Sequence, residues 1–160
     1  MTTIWEIQKF RERLTCDPEN WEARRSFHEN YEWLEGYWRS QFGENYFEQV
    51  WDKDGDYYWQ NIPDIQQIAK EFAVRQPVGN NRDVHYQPSP EVIAATDLLK
   101  VLNQTPKLHF KALMVIVRQI RNNMFHGKKM EVTNEVQYRR NKELIKFASK
   151  VTGLILDNLQ

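Results

Sequence analysis

Apolar residues recur along this chain at three- and four-residue intervals, and no run of alternating apolar and polar positions is long enough to suggest a sheet. The pattern predicts helices only. A first helix is expected over about 3–14, with Ile4, Ile7, Phe10 or Arg11, and Leu14 at helical spacing. Asp17-Pro18-Glu19 then combines an N-cap, a proline at the first helical position and an acid in the first turn, which starts a second helix. Its stripe Phe27, Tyr31, Leu34, Trp38, Phe42 runs up to Gly43, which ends it. A short helix over about 45–51 is expected to give way to a turn at Asp52-Lys53-Asp54-Gly55-Asp56, followed by a helix over about 63–74. Residues 76–90 are rich in turn formers and form the one long loop, read first as a plain connection and second as a segment whose Arg82, His85 and Tyr86 could touch a substrate or partner. Ser89-Pro90-Glu91 opens a helix to about 102, and Thr105-Pro106 opens another to about 125, with Leu113, Ile116, Val117, Ile120 and Met124 inward and Gly127 as its stop. After a basic connection at Lys128-Lys129-Met130, a last helix over about 136–158 carries the stripe Leu144, Phe147, Ala148, Val151, Leu154, Ile155.

A chain of 160 residues has room for one core, so a single all-α helical bundle over 1–160 is expected. Of its aromatic residues, 15 fall within 1–59, including all six tryptophans. Their background is acidic and repels phosphate, which assigns them chiefly to the core and a subunit interface. Cys16 is the only cysteine, so an internal disulfide and a thiolate zinc cluster are both excluded, in keeping with a reducing compartment. The opening stretch is interrupted by charges, and the longest strictly apolar run, Ala112 to Val117, is too short to span a bilayer. A cytoplasmic protein with no membrane partner is expected. The acidic turn at 52–56 does not fit a calcium loop, because the glycine falls at the fourth position and Pro63 occupies the twelfth.

The formal net charge is zero, which argues against a protein that coats nucleic acid by bulk attraction. Its distribution is uneven, however. Residues 1–72 hold 8 Lys/Arg against 15 Asp/Glu, whereas residues 107–150 hold 11 against 3. Either the basic region faces a polyanion or the two regions attract each other.

Within the basic region, Arg118, Arg121, Asn122, Phe125 and His126 follow one another at steps of one or three residues, sharing a broad face as their helix approaches its end. Lys128 and Lys129 extend the positive surface. The partial negative charge of a helix C-terminus favours the protonated form of His126. An imidazole that exchanges protons and a guanidinium that binds a phosphorane suit cleavage of a phosphodiester by its own 2′-hydroxyl, a reaction confined to RNA. That route requires no metal, and the four histidines show no paired metal-ligand spacing; no cofactor is expected.

Arg121-Asn122-Asn123-Met124-Phe125-His126-Gly127-Lys128 resembles the Arg-polar-x-x-x-His signature of the HEPN superfamily, helical ribonucleases of toxin–antitoxin, abortive-infection and CRISPR effector systems. The likeness covers about 105–158. It implies a HEPN-like bundle in which Arg121 binds the scissile phosphate, His126 transfers protons and Asn122 orients them, with Arg118, Lys128 and Lys129 holding the RNA backbone. It further implies a homodimer with two copies of the motif in one cleft, and an antitoxin or regulatory protein as a partner. Two other outcomes remain open: a catalytically silent module that binds RNA or a nucleotide, and a helical interaction domain with no RNA function whose acidic half docks a partner's basic surface; in the plainest structural reading Arg121 pairs with an acid and His126 caps its helix.

Overall fold

A computed structural model of the chain describes residues 3–75, 89–101, 105–126 and 134–159, with all side chains of these except those of 125 and 126. Among the described residues there are seven α-helices and no strand: α1 (Ile4–Thr15), α2 (Pro18–Phe42), α3 (Tyr46–Asn61), α4 (Pro63–Arg75), α5 (Pro90–Lys100), α6 (Pro106–His126) and α7 (Glu135–Leu156). A 3₁₀ turn, Gly43–Asn45, links α2 to α3. The expected loop over 76–88, with Arg82, His85 and Tyr86, lies outside the described residues, as do Gly127, Lys128, Lys129 and Met130. Among the described residues no helix is long and apolar enough to cross a membrane.

α2 forms where its boundary signals place it. The Asp17 side chain accepts from the Asn20 N–H, Pro18 holds the first helical position, and Gly43 takes φ +76° at the far end, a conformation that favours glycine. Phe27, Tyr31, Leu34 and Trp38 are buried, with Phe42 partly so. This face packs on α7, whose Ile145, Phe147, Ala148, Val151 and Ile155 are also buried. Leu144 and Leu154 sit at the edge of that core and not inside it.

α6 is the central element, packed between α3 and α5 and touching α7. Ala112, Leu113, Met114, Val115, Ile116 and Val117 are all buried, so the apolar run that is too short for a bilayer is the fully enclosed middle of this helix. Ring contacts tie the layers together, with Tyr58 of α3 stacked on Phe110 of α6 at 5.2 Å and Phe72 of α4 on Phe147 of α7 at 3.9 Å.

Two sequence expectations are corrected. No turn interrupts α3 at Asp52–Asp56; the helix runs straight through to Asn61. The reason is tertiary. A Cβ on Gly55 would stand 3.2 Å from both Cα and Cβ of Lys107, so the glycine permits the start of α6 to approach α3. Asp56, one residue on, accepts from the Lys107 N–H at 2.9 Å and so satisfies one of the donors at the start of α6. In α1, the expected stripe is only half buried: Phe10 and Leu14 pack inward with Tyr138, while Ile4 and Ile7 are exposed. Glu6 turns inward because it forms a reciprocal capping box with Thr3.

The aromatic half divides evenly among its tryptophans. Trp38, Trp51 and Trp59 are buried, as the core assignment requires, whereas Trp5, Trp21 and Trp33 are each more than half exposed.

Candidate active site at the end of α6

The last turns of α6 leave the interior after Ile120. Arg118 and Asn122 are exposed, Arg121 is partly buried, and His126 is the final helical residue. The side chain of His126, like Lys128 and Lys129 entirely, lies outside the described residues. Along the axis, five residues separate His126 from Arg121 by about 7.5 Å.

Arg121 rests on α2. Its guanidinium lies 4.9 Å from the centre of the Tyr31 ring, and one of its terminal nitrogens stands 4.0 Å from Glu35 Oε2. Glu35 is held from two other sides. The Tyr46 hydroxyl donates to its Oε2 at 2.7 Å, and Arg39 approaches its Oε1 at 3.7 Å. Burial, and then the hydrogen bond to Glu35, push the Tyr46 phenol far above its ordinary range, so it remains a donor throughout the neutral pH range. Burial likewise raises the Tyr31 phenol, with the Arg121 charge opposing it.

These contacts leave Arg121 available. At 4.0 Å the link to Glu35 is longer than a hydrogen bond, and a partly exposed pair of this kind contributes about 0–1 kcal/mol. A charge-assisted hydrogen bond contributes about 1.5–3 kcal/mol, so a phosphate can compete for the guanidinium. Glu35 and Tyr31 therefore steady Arg121 without consuming it.

Arg118 does not converge on the same place. Its guanidinium lies over Phe47 of α3 at 4.3 Å, lining a groove of about 380 Å³ with Trp51, Lys111 and three carboxylates. The broad face expected from the sequence is thus a ridge, with Arg121 leaning to α2 and Arg118 to α3. On the α2 side a groove of about 270 Å³ opens beside Arg121, lined by Phe27, His28, Tyr31, Glu32, Glu35 and Met124.

Sequence reasoning missed Tyr31, Glu35, Arg39 and Tyr46. Tyr31, Glu35 and Arg39 stand four apart on α2, a spacing that marks one helix face, but nothing local says that Arg121 meets it.

The basic excess of 107–150 is partly engaged within the chain. Lys142 pairs with Asp17 at 3.0 Å and Lys146 with Glu19. Attraction between the acidic and basic regions is therefore observed, and Lys142 and Lys146 are committed to α2.

No protein-family model matches this chain, and comparison with curated proteins and with solved structures finds no similar one.

Proposed function

We propose that this chain is a HEPN-like, metal-independent endoribonuclease of the cytoplasm that cleaves RNA by 2′-hydroxyl transesterification at a composite site formed by a homodimer. The observation that supports it most is the emergence of α6 from an enclosed core with the Arg121 guanidinium steadied on Tyr31 yet open to solvent, on the helix that His126 terminates. In this reading the imidazole of one His126 takes the 2′-hydroxyl proton, the 2′-oxygen attacks phosphorus, and the leaving 5′-oxygen receives a proton from the second copy. Arg121 stabilises the phosphorane and Asn122 orients the pair. Lys128 and Lys129 hold the flanking backbone, with Arg118, whose groove also bears three carboxylates, as the weaker contact. A role in toxin–antitoxin or anti-phage defence, with an antitoxin or regulatory partner, accompanies the reading by resemblance alone.

Product analysis on short oligoribonucleotides in EDTA tests it. The expected products carry 2′,3′-cyclic phosphate and 5′-hydroxyl ends. Arg121→Ala should lower the rate by roughly 10²–10³ and His126→Ala by roughly 10²–10⁴. RNA that binds with Arg121-dependent affinity and stays intact favours a second reading, a silent RNA- or nucleotide-binding module. Neither cleavage nor binding would leave a helical interaction domain.

A further inference from the structure

The groove between α2 and α6 is bounded by Arg121 itself, so whatever lies next to a phosphate on that guanidinium meets this space first. Its floor is apolar: Phe27 is fully buried, Tyr31 nearly so, and their rings meet edge to face at 6.0 Å, with Met124 on the α6 side. Its rim is not. Glu32 and Glu35 line the α2 wall with His28, whose Nε2 stands 3.7 Å from Glu32. An apolar floor with a few fixed polar groups is the usual build of a small-ligand site. At about 270 Å³ the space lies just below the 300 Å³ or so where drug-sized pockets begin, a size for one planar ring system.

The charge of the rim decides the kind of ring. Two carboxylates repel a second phosphate, so the strand cannot continue along this groove by its backbone. Glu35 is also fixed in place. The Tyr46 hydroxyl and Arg39 hold its two oxygens from outside the groove lining, and one hydrogen bond occupies only one of about four acceptor positions on a carboxylate. A fixed acceptor with spare capacity selects groups that offer N–H donors.

We propose, on the basis of the ribonuclease reading, that this groove seats the nucleobase next to the phosphate held by Arg121, and that Glu35 selects bases bearing an amine edge. Cytosine offers its N4 amine, adenine its N6 amine and guanine N1–H with its N2 amine. Uracil offers a single N–H flanked by two carbonyl oxygens, which the carboxylate repels. The preferred substrate is RNA with cytosine, adenine or guanine at this position, and uracil is discriminated against.

Fluorescence anisotropy with short 2′-O-methyl oligonucleotides, which bind but cannot be cleaved, tests this apart from catalysis. Oligo(A), oligo(C) and an oligo(U) carrying one central guanine should bind at least about tenfold more tightly than oligo(U) at one fixed salt concentration. Glu35→Gln, whose amide both donates and accepts, should bring the four within about threefold of one another. Tyr46→Phe, which releases Glu35 but keeps the ring, should narrow the preference in part, whereas Arg121→Ala should weaken all four alike. Equal affinity of the intact protein for all four, reduced by Arg121→Ala, would overturn the base-seat assignment and leave the RNA reading standing. Binding to none of them would overturn both.

Discussion

Gly36 and Gly55 both lie inside continuous helices, and their surroundings demand opposite responses to a methyl group. Nothing lies within 4 Å of a Cβ built on Gly36, so Gly36→Ala should gain about 0.5–1 kcal/mol from reduced backbone entropy. On Gly55 the same Cβ meets Trp51 Cβ at 3.1 Å and the Lys107 backbone at 3.2 Å. Overpacking costs about 1–3 kcal/mol, which exceeds the helical gain, so Gly55→Ala should be the destabilising member of the pair. Urea midpoints measure both; a Gly55→Ala protein as stable as the parent would mean that α3 and α6 are not in contact there. Arg121 shows what a single residue can and cannot reveal. Its type and its distance from His126 are legible in the sequence, whereas the Glu35 carboxylate and the Tyr31 ring reach it only because the tertiary fold brings α2 within reach of the Arg121 side chain.

At the scale of elements, the junction of α1, α2 and α7 is held by charge as well as by Phe10, Leu14 and Tyr138. Asp17 caps α2 and also accepts from the Tyr138 hydroxyl at 2.7 Å and Lys142 at 3.0 Å. Burial pushes its carboxyl up, but the hydrogen bonds from Tyr138 and Lys142 outweigh that and hold it below the usual range. A carboxylate depressed in the folded state stabilises it fully above the unfolded pKa, about 3.9, and the contribution is lost as pH falls through the lower folded value. Asp17→Asn keeps a competent cap and removes the charge. It should lower the melting temperature at pH 7 and make little difference near pH 2, and a deficit that persists unchanged into acid would refute the electrostatic account. The elements whose ends carry local signals, α2 with Asp17-Pro18 and α5 with Ser89-Pro90, were readable from sequence because a cap is made by neighbours in the chain. The continuity of α3 through Gly55 was not, because Asp-Lys-Asp-Gly-Asp has turn composition and only the distant start of α6 gives it a reason to stay helical.

Over the whole molecule, the all-α architecture follows from periodicity, and the enclosed middle of α6 from its unbroken apolar run. The use of charge does not follow from composition, since the basic excess divides between ion pairs to α2 and the ridge of Arg118 and Arg121. Arg118 predicts a diagnostic behaviour. If it holds RNA backbone, Arg118→Ala should weaken binding about equally for all sequences and reduce the slope of log affinity against log salt by about one, while an unchanged slope would remove it from the RNA surface. A composite site also predicts that cleavage per protomer rises with protein concentration until the dimer is saturated. Activity proportional to protomer concentration down to the monomeric range would place a complete site in one chain. The most direct measurement is a crystal structure of the protein with a non-cleavable RNA. The account predicts two copies of Arg121 and His126 converging on a single phosphate; a phosphate bound elsewhere, or the two α6 ends facing away from each other in every assembly, would contradict it.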